Sequence, residues 1–109
     1  MNKNSFHITI HEAKERLRNE THPFVKLMED GNMTVEYFAP KVKDTQSPHK
    51  QDELYVIVSG SSEFYRDSET INCKKGDILF VPAGMEHRFN NFSEDFATWV
   101  IFYGEMKSL

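Results

Sequence analysis

Cysteine is almost absent: Cys73 is the single one among 109 residues, so no disulfide can close within the chain, and a reducing compartment suits it. Long apolar runs are missing too. No stretch approaches the ~20 residues of a membrane-spanning helix, and the N-terminus lacks the apolar run of a signal peptide. The expected location is therefore the cytoplasm, with no membrane partner. Basic excess is the third absence. Thirteen Lys and Arg face 17 Asp and Glu for a formal net charge of -4, which argues against nucleic acid, because phosphates require a basic patch. Lys41, Lys43 and Lys50 cluster loosely, but Asp44, Asp52 and Glu53 interrupt them, and the stretch reads as a solvated loop.

Hydrophobic residues are also sparse, at 39%, which leaves a modest core in a chain with room for one domain only. Nine Phe, four Tyr and one Trp compensate, since each ring buries much area. A small core favours association, and a homodimer is expected. No repeat or low-complexity segment divides residues 1–109.

Helix signals are confined to the start. Thr9 and Glu12 have capping-box spacing, and Ile10, Ala13 and Leu17 fall on one helical stripe. A short helix is predicted near Thr9–Asn19, ending before Pro23. Strand signals then take over. Phe24–Glu29 and Met33–Phe38 flank the turn Asp30-Gly31-Asn32, and Ala39–Pro48 reads as a loop. Leu54–Ser59, Glu63–Arg66, Thr70–Cys73, Ile78–Val81, His87–Asn90 and Phe96–Tyr103 follow, separated by turns. Short strands punctuated this often predict an all-β sandwich or barrel, best met by a jelly-roll barrel with a short N-terminal helix. Phe80, Phe89, Phe92, Phe96 and Phe102 are expected to fill the barrel and its flanks, Tyr55 and Trp99 its core or an interface, and Cys73 a buried structural position.

Of five histidines, His7, His11 and His22 lie among polar residues and need no special role. His49 and Glu53 differ. Strand alternation would put Ser47, His49, Gln51, Glu53, Tyr55 and Ile57 on one face, polar at one end and apolar at the other. A carboxylate standing directly before an apolar run needs a pairing partner, a hydrogen bond or a metal. His87, just after the Pro82–Gly84 turn, opens a later strand. Imidazole and carboxylate together suit a first-row divalent ion, although exposed loop residues would show the same spacing. Arg88 alternates to the opposite face from His87.

Gly76, Pro82, Gly84, His87 and Asn91 match G-x5-P-x-G-x2-H-x3-N at every spacing. His49, Glu53 and Gly60 match the second histidine, the glutamate and the closing glycine of G-x5-H-x-H-x3–4-E-x6-G; its first glycine falls on Lys41 and its first histidine on Ser47. These are the two motifs of the cupins, which the chain resembles over about 41–91. The resemblance implies a jelly-roll barrel with an internal metal held by His49, Glu53 and His87. Ser47 is a poor substitute for an imidazole, and Gln51 could assist through its carbonyl. The implied cofactor is a divalent metal ion: Fe, Mn, Ni or Zn. The implied partner is a small organic substrate or ligand. Two histidines and one carboxylate with open positions form the set associated with non-haem iron(II), so a metal-dependent, dioxygenase-like enzyme is one expectation. The alternatives are a non-catalytic small-molecule-binding module, with or without metal, and a purely structural network of the three side chains.

Overall fold

A computed structural model describes residues 6–108 of the chain. Helix α1 (Ile10–Leu17) starts where the capping signal lies: extended Thr9 accepts the Glu12 N–H on its Oγ1 at 3.1 Å. Eight strands follow among the described residues: β1 (Phe24–Asp30), β2 (Met33–Phe38), β3 (Asp52–Ser59), β4 (Ser61–Arg66), β5 (Glu69–Lys74), β6 (Ile78–Val81), β7 (His87–Asn90) and β8 (Ala97–Tyr103). Each lies where a strand was predicted, with ends shifted by two residues at most. No helix among the described residues is long and apolar enough to cross a membrane.

All pairings are antiparallel. One sheet has the order β1-β2-β8-β3-β6, and the other β5-β4-β7. Turn chemistry sets the registers. The β1–β2 hairpin closes at Asp30↔Met33 around Gly31-Asn32, and β4–β5 closes at Arg66↔Glu69 around Asp67-Ser68. Asp67 and Ser68 both have positive φ, 47° and 67°, the backbone that matches the twist of a two-residue hairpin. Gly60, with φ 73°, carries the chain from the first sheet to the second; a Cβ there would lie 2.8 Å from the Phe96 Cα. The two sheets form the predicted jelly-roll barrel.

Between the sheets lies the main core, with Tyr55, Ile57, Phe64, Leu79, Val81, Phe89, Phe96 and Val100 among its members. A smaller apolar layer, including Leu27, Tyr37, Val58 and Ala97, lies with Ala13 of α1, and Leu17 and Trp99 pack against it. Cys73 is buried as predicted. Phe89 and Phe96 fill the barrel, and Phe92 and Phe102 pack against it. Phe80 does not: it is 44% exposed. β6 is an edge strand whose burial alternates, so Leu79 and Val81 enter the core while Ile78 and Phe80 face out. An unbroken apolar run thus covers one face only.

Candidate metal centre

Glu53 stands second in β3, paired with Val81 of β6 on one side and Phe102 of β8 on the other. Alternation turns Glu53, Tyr55 and Ile57 inward together, and all three are buried. His87 opens β7 in the opposite sheet. Its Nδ1 lies 2.8 Å from the Met85 carbonyl, and a carbonyl can only accept, so Nδ1 carries the proton and Nε2 is left with a lone pair in the neutral ring. His49 comes from the loop between β2 and β3, its side chain 33% exposed. One ligand atom from each of the three residues falls within 4.8 Å of the others.

His87 Nε2 lies 3.0 Å from Glu53 Oε1, and His49 Nε2 lies 3.8 Å from the same oxygen. While the His87 ring is neutral, its Nε2 and the Glu53 oxygens can only accept, so neither has a hydrogen-bond partner, although Glu53 is only 1% exposed and His87 2%. Buried polar atoms are ordinarily paired, so an unpartnered carboxylate facing an unpartnered imidazole nitrogen marks an incomplete site. A divalent cation fits this donor set.

The surroundings set the two imidazoles apart. Burial pushes His49 below the usual histidine range; the charge of Glu53 opposes this only in part. Burial acts the same way on His87, but the Glu53 carboxylate and the Met85 carbonyl outweigh it and leave His87 raised. Aromatic rings wall the site. Phe102 meets His49 edge-on with centroids 5.0 Å apart, and Tyr55 lies 6.1 Å from His87. The loop and the 82–86 turn are joined: Gly84 N–H donates to the His49 carbonyl at 2.8 Å, and Ala83 N–H donates to Asp52 Oδ1 at 2.9 Å.

The strand face predicted from Ser47 to Ile57 exists only from Asp52 onward. Ser47 is exposed in the loop, and His49 reaches the site from that loop rather than from a strand. Gln51 does not assist: its Nε2 donates to the carbonyls of Asn32 at 2.7 Å and Gly104 at 2.9 Å, which fixes the amide away from the centre. The solvated reading of the loop fails at Asp44, which is 6% exposed. Its carboxylate accepts Phe89 N–H at 2.8 Å, Gln46 N–H at 3.1 Å and Gln46 Nε2 at 2.7 Å. The first of these satisfies a backbone donor buried inside the barrel, so the acid goes where that donor is.

Three residues of the site escaped sequence reasoning: Asp44, Gln46 and Glu36. Gln46 Oε1 lies 3.3 Å from His49 Nε2 and accepts the Tyr55 hydroxyl at 3.2 Å. Glu36 shares the inward face of β2 with Phe38, opposite Val100. Burial first, then the charge of Glu53, raises its carboxyl above the usual range. The sequence signal for Glu36 was the alternation of β2; loop residues Asp44 and Gln46 carried none. His7 and His11 are exposed, and exposed His22 stacks on Phe24 with centroids 4.3 Å apart. Arg88 leaves the site, as alternation predicts, pairing with Glu86 and lying 4.9 Å over the Tyr65 ring.

Comparison with known proteins agrees with the barrel fold. The profile of the family described as "Cupin domain" matches residues 34–103. An uncharacterized protein of Streptomyces coelicolor is 36% identical over 90 residues, covering 81% of this chain and 85% of its own. Acireductone dioxygenase of Drosophila pseudoobscura pseudoobscura is 36% identical over 66 residues, covering 54% of this chain but 35% of its own. Among solved structures, KdgF from Halomonas sp. superposes with a TM-score of 0.67 at 17% identity, over 77% of this chain and 82% of its own, a likeness of fold.

Proposed function

The chain belongs to the cupin domain family, and on that premise we propose that it holds Fe, Mn, Ni or Zn on His49, Glu53 and His87 and acts as a dioxygenase-like enzyme on a small organic molecule. The observation that carries this reading is the buried, unpartnered Glu53 carboxylate and His87 Nε2, 3.0 Å apart, with a ligand atom of His49 within 4.8 Å of both residues. A cation satisfies all of them at once, whereas a purely structural network would have left them hydrogen-bonded. The likeness to acireductone dioxygenase supports dioxygenase-like chemistry, over about a third of that protein's length.

When bound, such a metal supplies Lewis-acid polarisation of a substrate oxygen and, if redox-active, one-electron chemistry. The protein's own groups do the rest. Glu53 and His87 form a floor shared by both sheets, and partly exposed His49 marks the side from which a small molecule enters. Phe102, Tyr55 and Phe64 keep water from the floor. Glu36, on the same inner face, has its carboxyl raised above the usual range by burial and then by the charge of Glu53, which favours its protonated form relative to an exposed glutamate.

Elemental analysis of protein purified without chelator tests the reading, with His49→Ala and His87→Ala beside it. Near-stoichiometric metal is expected in the parent, with strong loss in both variants. A metal-free parent that refuses added metal overturns it. Oxygen uptake over a panel of oxygenated acids, thiols, sugars and acireductone then separates enzyme from non-catalytic binding module. Exposed Ser47 favours the module reading, because one imidazole is missing. We also place the chain in the cytoplasm as a homodimer. Ile71, Ile78 and Phe80 expose an apolar stripe along the free edges of β5 and β6, which a second copy would cover. Light scattering that shows only a 12.8 kDa species removes the dimer.

A further inference from the structure

We infer that the side-chain carbonyl of Gln46 is a fourth protein ligand of the centre, given the metal reading above, and takes the part left vacant where the first motif histidine falls on Ser47. Orientation is the first support. Gln46 Nε2 donates to Asp44 Oδ2 at 2.7 Å, so the amide NH2 faces Asp44. Oε1 is thereby aimed the other way, toward His49 Nε2 at 3.3 Å and the Tyr55 hydroxyl at 3.2 Å.

Spacing is the second support. In an octahedron with bonds of about 2.1 Å, neighbouring donors lie about 3.0 Å apart, and in a tetrahedron about 3.4 Å. The pairs His87–Glu53 at 3.0 Å and His49–Gln46 at 3.3 Å have the separation of adjacent vertices, while His49–Glu53, at 3.8 Å, would have to close by several tenths of an ångström on binding. Rigidity is the third. Asp44 is buried and fixed to Phe89 N–H, two residues from His87 on β7, so the barrel wall holds the amide in place. Gln51 has none of these properties, because both of its observed hydrogen bonds point to backbone elsewhere.

The exchange has a chemical consequence. A neutral amide oxygen leaves the charge of the donor set unchanged relative to a neutral imidazole, but it is a harder donor. Carbonyl ligands suit Mn more than they suit Zn, which prefers imidazole. Gln46 therefore biases the centre toward the harder ions.

The test titrates Mn2+ and Zn2+ into the metal-free full-length chain and into Gln46→Ala, Gln46→His and Ser47→Ala. Water-proton relaxation counts the waters on bound Mn2+. Gln46→Ala is expected to lose at least the 10–100-fold in affinity that removal of an outer partner costs, and to gain one Mn-bound water. Gln46→His is expected to keep the parent water count and to raise Zn2+ affinity relative to Mn2+. Ser47→Ala should match the parent in both respects. An unchanged water count in Gln46→Ala means that Gln46 merely orients His49, and overturns the inference. Should that variant fail to fold, Gln46→His decides alone: loss of one bound water would show that water, not Gln46, holds the position. A parent that binds neither ion overturns the metal reading itself.

Discussion

Replacing Glu53 by glutamine is expected to strengthen the metal-free fold while abolishing metal binding. In the structure both carboxylate oxygens are buried without a hydrogen-bond partner. Leaving a buried polar group unsatisfied costs about 1–3 kcal/mol, and more when it is charged. A glutamine amide removes the charge and offers an N–H to the lone pair of His87 Nε2, 3.0 Å from the present oxygen. The expected gain is about 1–3 kcal/mol, or roughly 4–12 °C in Tm at about 4 °C per kcal/mol for a domain of this size. The gain depends on pH through His87, whose folded value is raised above 6.5. Its pairing with Glu53 stabilises the parent fully below the unfolded value, and that contribution is lost as pH rises through the raised folded value. The difference between variant and parent should therefore be largest at pH 9 and shrink toward pH 6. Calorimetry in EDTA reads it directly. Metal at 100 times its Kd should then add about 2.7 kcal/mol to the parent and almost nothing to the variant, reversing their order. A Glu53→Gln protein less stable than the parent in EDTA at pH 9 would refute the reasoning, since it would mean that the carboxylate is satisfied without metal.

Other outcomes follow from the same structure. His49→Ala and His87→Ala should purify with little metal, and full metal content in either removes that residue from the centre. Burial pushes the Cys73 thiol up to about 11, so at pH 8 about one thiol in a thousand is ionised. Iodoacetamide should label it far more slowly in the folded protein than in denaturant, and equal rates would contradict its burial. The same shift means that stability present below the ordinary value of 9.0 is lost as pH climbs toward 11. Gly60→Ala forces a Cβ to within 2.8 Å of the Phe96 Cα at positive φ, and should cost roughly 2–4 kcal/mol in urea unfolding; a change below about 0.5 kcal/mol would show that the backbone yields there.

Much of the barrel was legible because its signals are local. Turn dipeptides such as Gly31-Asn32 and Asp67-Ser68 end strands by backbone chemistry, and alternation from Glu53 to Ile57 assigned the inner face. Strand alternation drew attention to Glu53, and the resemblance to the cupin motifs implied His49, Glu53 and His87 as a set, which the fold brings together. Alternation failed outside regular strands. Extended back from Asp52 it put Ser47 and Gln51 on the inner face, but a loop has no period: Ser47 is exposed, and hydrogen bonds to the Asn32 and Gly104 carbonyls fix Gln51 elsewhere. Asp44 and Gln46 were illegible for the same reason: their positions follow from a free N–H on Phe89, 45 residues away in sequence. Phe80 misled because hydrophobicity does not reveal whether a strand lies at a sheet's edge.

The hydrogen bond from Gly84 to the His49 carbonyl fastens the segment that presents one imidazole to the segment leading into the other. Lifting the rim of the barrel would drag both rings off the carboxylate below in one movement. Loss of this one bond is thus expected to disturb both imidazoles together rather than one at a time.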